Sequence, residues 1–99
     1  MARDLYPLGS IVYLDEGDTK LMIVGRGAVF NDPEDGEVFF DYVGCIYPRG
    51  LDIKQAVFFQ HEDISLLVFE GFKDSEEIQF MKIFGRWENE LDVPHKVIN

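Results

Sequence analysis

Chemistry would first be sought in the oxygen-rich run Asn31-Asp32-Pro33-Glu34-Asp35-Gly36, which opens like a calcium loop with side-chain ligands before a glycine. Such a loop needs a bidentate Glu at its twelfth position. Here that residue is Tyr42, and Pro33 takes a ligand position. The run therefore reads as a turn. His61-Glu62-Asp63 is the second cluster, but neighbours on a strand point to opposite faces and cannot converge on one ion. It reads as a turn in which Glu62 or Asp63 caps backbone donors. The other imidazole, His95, stands in the polar C-terminal tail. Cys45 lies in an apolar run and reads as a small hydrophobe. As a single cysteine it excludes an internal disulfide and a cysteine-rich zinc site.

Nucleophilic catalysis finds no support, because there is no Gly-x-Ser-x-Gly elbow and Cys45 has no nearby His. Gly25 and Gly27 follow an apolar strand but open no helix, which argues against a phosphate loop. No catalytic residue, cofactor or metal is expected. Arg26, between those glycines, is a lone cation in a cation-poor chain. It either pairs with one of the many carboxylates or serves an interface.

The elements that would position these residues follow from the apolar pattern. Ser10 to Leu14 is apolar on both faces, as in a strand buried on both sides or in a small barrel. A hairpin turn at Glu16-Gly17 leads to a return strand, Leu21 to Val24, with a bulge or bend at Gly25 and Gly27. A second hairpin turn is expected at Asp35-Gly36, before a third strand from Glu37 to Ile46. Tyr47-Pro48-Arg49-Gly50 ends it. Gln55 to Gln60 and Ser65 to Phe69 supply the fourth and fifth. The period then changes. Asp74-Ser75-Glu76-Glu77 has the form of a capping box, and Phe80, Phe84, Trp87 and Leu91 recur on one face of a helix. That helix is expected from about Ser75 to Asn89, within a helical region 74–92 stopped by Pro94.

The chain thus forms one domain, 1–99, with a β region over 10–70. The fold class expected is α+β, mainly β. Its sheet is a strongly bent antiparallel one, or a small SH3-like barrel, of about five strands. A flat sheet with the helix across one face is the alternative.

The formal charge of −10 repels phosphate backbones and anionic lipid, so neither nucleic acid nor membrane is an expected partner. A basic protein surface would be a good one. The N-terminus has no apolar core of signal-peptide length, and a cytoplasmic location is expected unless a partner carries the protein out. The helix carries Ile78, Met81 and Ile83 beside its apolar face, a wider arc than one sheet face covers. Met81, Phe84 and Trp87, with Arg26, are the residues expected at a contact with a partner protein or with a second copy of the chain.

Four apolar runs carry a resemblance over about the first three quarters of the chain. They are Tyr6-Pro7-Leu8-Gly9-Ser10-Ile11-Val12-Tyr13-Leu14, Lys20-Leu21-Met22-Ile23-Val24-Gly25-Arg26, Phe39-Phe40-Asp41-Tyr42-Val43-Gly44-Cys45-Ile46-Tyr47-Pro48 and Phe58-Phe59-Gln60-His61-Glu62-Asp63-Ile64. Their order resembles a family catalogued as a domain of unknown function (DUF4176). Its members are small proteins found alongside the LXG toxins of Gram-positive type VII secretion. The resemblance implies no enzymatic activity and no cofactor. It implies an accessory role towards a toxin or related secretion component, with a chaperone or adaptor the preferred reading and an immunity protein the alternative; a small enzyme with an unrecognised site is the third. After Gly71 the chain departs from the family pattern, which leaves the helix free to be particular to its own partner.

Overall fold

Five strands and one helix follow one another in the computed structural model, which describes residues 4–15 and 17–90. They are β1 (Ile11–Leu14), β2 (Leu21–Asp32), β3 (Gly36–Ile46), β4 (Val57–Phe59), β5 (Ile64–Phe69) and α1 (Ser75–Glu90). The strands form one open sheet in the order β4-β3-β2-β1-β5, with every pairing antiparallel. The expected mainly-β α+β class is found, in its open-sheet and not its closed-barrel form. β1 lies between β2 and β5, and successive residues on its two faces are covered: Val12 is fully buried and Ile11 nearly so.

β2 differs most from the expected pattern, because it does not end at Val24. Ile23 pairs with Gly44 and Gly25 with Val43, so Val24 is an extra residue that shifts the register by one. The ladder then continues to Asp32 opposite Gly36. Glycine makes this continuation feasible, since Gly27 takes φ +74° inside the strand, a conformation costly for other residues. The bend expected at Gly25 and Gly27 is therefore an internal feature of a long strand.

The hairpin expected at Asp35-Gly36 is present. Asp32 Oδ1 accepts from the backbone N–H of Glu34 at 2.8 Å and of Asp35 at 3.1 Å. Gly36 supplies the positive φ that returns the chain to the ladder. Asp32, a candidate ligand in the calcium-loop pattern, is thus a turn-forming residue. The turn expected at Glu16-Gly17 falls partly outside the described residues; Gly17 N–H bonds to the Leu14 carbonyl at 3.0 Å. β4 is shorter than expected, because Asp52 caps a one-turn 3-10 helix, Ile53–Gln55, through the Lys54 N–H. His61–Asp63 forms a second 3-10 turn, with Asp63 Oδ2 accepting from Gln60 N–H at 2.9 Å, so the expected capping role of Asp63 is found.

Leu5, Val12, Leu21, Ile23, Phe39, Tyr42 and Phe59 form the core with Phe84 of α1, and Cys45 is buried as a hydrophobe would be. Asp74 Oδ1 accepts from Glu77 N–H at 3.1 Å, which starts α1 as the capping box requires. The Glu77 carboxylate does not close the box; it turns to Arg26. Leu91, Asp92, Pro94 and His95, which bear on where the helix stops, lie outside the described residues.

Candidate functional site: the helix face and its buried ion pair

The junction between α1 and the sheet is built around Arg26. Its guanidinium donates from Nη1 to Glu77 Oε2 at 2.5 Å and from Nη2 to Glu77 Oε1 at 2.7 Å, a two-pronged pairing that fixes the helix against β2. The side chains are 4% and 10% exposed. The Phe80 ring lies 4.7 Å from the guanidinium carbon, Met81 Sδ is 3.5 Å from Nη1, and Nη1 reaches the Tyr6 carbonyl at 3.4 Å. Arg26 Nε is buried with no hydrogen-bond partner, so this cation is only partly satisfied. Beyond the ion pair, Phe84 and Trp87 meet Phe39 at ring-centroid distances of 6.4 and 5.7 Å.

This geometry corrects the expected contact set. Arg26 is enclosed by its pair with Glu77, and Phe84 is 5% exposed against Phe39, so neither presents a surface. Met81 is half-buried beside Arg26. Trp87 alone of the four shows a substantial open face, at 39%. The physical reason is the helix rotation that the ion pair imposes. Because Glu77 must face Arg26, Met81 and Phe84 share its inward face, four and seven residues on in the chain.

The outward face then falls to Phe80, Ile83 and Trp87, of which Ile83 is the most open at 63%. Ile78 is exposed on the same helix, and Phe72 and Leu8 lie exposed beside its start. A groove of about 560 Å³ lies at the start of α1, lined by Leu8, Val24, Gly25, Phe72 and Phe80 together with Asp74, Glu76 and the Arg26–Glu77 pair, and it does not reach Ile83 or Trp87. Its wall is thus largely apolar, with three carboxylates and one guanidinium among the lining side chains.

A second polar cluster, unforeseen in the sequence, locks the loop after β4 onto β3. Tyr42 Oη accepts from Tyr6 N–H at 2.9 Å and lies 2.7 Å from His61 Nδ1. The hydroxyl, one donor with two acceptor lone pairs, can serve both neighbours at once. Asp41 is fully buried and its Oδ2 accepts from His61 N–H at 2.8 Å. Gln60 bonds to β3 twice, accepting from Asp41 N–H and donating to the Phe39 carbonyl. The one sequence signal was Asp41 inside the apolar run Phe39-Phe40-Asp41-Tyr42, since an interior carboxylate requires donors.

Burial raises the Tyr42 hydroxyl well above the ordinary tyrosine range, and the Tyr6 N–H only partly opposes this. Its contribution to stability is complete below about pH 10, the unfolded tyrosine value, and is lost as the pH rises above it. Tyr42→Phe is expected to lower stability by about 1–3 kcal/mol at neutral pH by orphaning the Tyr6 N–H and His61. It should also flatten the alkaline decline. Urea melts of both proteins at pH 7 and pH 10.5 check this, and an unchanged alkaline slope would show that Tyr42 is not its source.

Among the described residues no group of three or more His, Cys, Asp or Glu side chains is placed to hold a metal ion. No helix among them is long and apolar enough to cross a membrane.

A family model, described as Domain of unknown function (DUF4176), matches residues 5–80. The chain belongs to that family. No curated protein and no solved structure matches it. The matched span covers the whole sheet, the Arg26–Glu77 pair and Phe80, and stops before Ile83 and Trp87.

Proposed function

We propose that this member of the family is a non-enzymatic accessory protein of a type VII secretion LXG toxin module, a chaperone or adaptor that binds its toxin in the cytoplasm before export. The observation that carries the reading is the apolar outer face of α1, where Phe80, Ile83 and Trp87 are exposed on a chain of formal charge −10. Apolar groups held in the open are a standing liability in a soluble acidic domain unless another protein covers them. A lipid surface fits poorly, because anionic headgroups repel such a chain.

A second reading, an immunity protein that blocks the toxin's active site, draws on the same acidity. A toxin that acts on nucleic acid presents a basic cleft, which a strongly acidic inhibitor complements. Co-expression with an LXG toxin from the neighbouring gene separates the two. An adaptor co-purifies with the toxin's secretion region and its loss stops export; an immunity protein co-purifies with the toxic domain and its loss kills the producer. Ile83→Asp is expected to weaken the complex by roughly 30- to 1000-fold, the size of a central interface truncation, and to leave the fold intact. Full retention of the complex in a folded Ile83→Asp protein would remove the outer face of α1 from the binding site.

A further inference from the structure

The spacing along the exposed face of α1 carries information about the shape of what covers it. Glu76, Phe80, Ile83, Trp87 and Glu90 follow at intervals of four, three, four and three residues. That alternation is the seam of a helix that packs lengthwise against another helix at a crossing of about 20°. The seam has one closed flank, since Glu77 bonds to Arg26 and Phe84 packs on Phe39. Its other flank, Gln79 and Arg86, is exposed. Phe80 and Trp87 each rest one side on the protein, on Arg26 and on Phe39 and Phe84, and stay partly open on the other. They are therefore preorganised, and Ile83 stands between them. A groove lined by Ser75, Glu76, Gln79, Phe80 and Ile83 follows the first half of this line and stops short of Trp87.

The two ends of the seam decide the occupant. A second copy of α1 packed antiparallel about Ile83 would set Glu76 against Glu90 at both ends. A parallel copy would set each glutamate against itself. Like charges so placed are destabilising, and two chains of charge −10 add to the repulsion. The seam suits a different polypeptide, with apolar residues in the middle and cations at the ends.

We infer that the outer face of α1 receives one amphipathic helix of a different protein, packed lengthwise along Phe80, Ile83 and Trp87, with Lys or Arg opposite Glu76 and Glu90. The span from Glu76 to Glu90 is about 21 Å at 1.5 Å per residue, so about four turns of partner helix are engaged. This deepens the proposed function and rests on its claim that α1 is the binding face, while adding the partner's shape and charge.

Trp87 is the chain's one tryptophan and lies in the seam, so its emission reports occupancy directly. The probes are two synthetic helical peptides of about three heptads with the same leucine seam, one with lysines and one with glutamates at its ends. The lysine-ended peptide is expected to shift Trp87 emission saturably, and at low salt to bind at least about fivefold more tightly than the glutamate-ended one. Ile83→Asp should abolish the shift without unfolding the protein, as circular dichroism would record. Equal binding of both peptides, an absence of binding, or binding that survives Ile83→Asp overturns the inference. So does a dimer of the chain in sedimentation that Ile83→Asp dissolves, which would make the second copy the occupant. A toxin that needs Ile83 while neither peptide binds overturns the helix inference alone. Peptides that bind as expected beside a toxin indifferent to Ile83→Asp overturn the proposed function alone.

Discussion

Gly27→Ala is expected to destabilise the protein by about 2–5 kcal/mol, enough to unfold a substantial fraction of a domain this small. Two separate effects add. The residue adopts φ +74°, where a methyl group costs roughly 1–2 kcal/mol against the following carbonyl. An added Cβ would also lie 2.6 Å from Phe84 Cε1 and 3.1 Å from Trp87 Cζ3. The rings cannot both yield, because each already packs on Phe39. Overpacking of this kind typically costs a further 1–3 kcal/mol. Gly36→Ala separates the two effects: it shares the φ of +74° but opens onto free space. Its expected cost is the backbone share alone, about 1–2 kcal/mol. Urea midpoints of the two variants measure the difference, which is the cost of lifting α1 from the sheet. Equal losses would mean that the helix gives way freely at this point.

Where the sequence was legible, local chemistry agreed with the global fold. The hairpin at Asp35-Gly36 was readable because Asp32 and Gly36 satisfy the turn by themselves, without help from distant residues. The start of α1 was readable for the same reason, through Asp74. β2 was misread as short because glycines in sequence mark a break, while in the fold Gly25 and Gly27 let a 12-residue strand bend and continue. The orientation of α1 was not readable from its own residues. Apolar periodicity grouped Phe80, Phe84 and Trp87 on one face without saying which edge of it is covered; in the fold Phe84 is interior, Phe80 and Trp87 stay partly open, and Glu77 is held by Arg26, 51 residues before it. That pairing is a long-range fact with no local signature. Of the helix residues expected at a contact, Phe84 is therefore interior, and Arg26, expected there as a lone cation, is interior as well.

Removing the Glu77 carboxylate is expected to cost more than removing the whole ion pair. In Glu77→Gln the Arg26 guanidinium stays enclosed, with Nε already unpartnered and with only the Tyr6 carbonyl, Met81 Sδ, the Phe80 ring and a neutral amide for company. Losing one partner of a buried pair typically costs about 3–5 kcal/mol, because the remaining charge keeps its desolvation penalty and loses its compensation. The double change Arg26→Met with Glu77→Leu removes both charges and keeps most of the volume. It is expected to recover most of that loss, since apolar replacements of buried pairs are often neutral or stabilising. A double-mutant cycle in urea gives the coupling between the two positions. If Glu77→Gln is as stable as the parent, water reaches the guanidinium and the pair is not what sets the rotation of α1. The rotation itself is checked in the double variant. There Glu77 no longer needs to face β2, and near-ultraviolet circular dichroism of Trp87 should lose intensity as the ring departs from Phe39. An unchanged signal would show that Phe84 and Trp87 alone hold the helix in place.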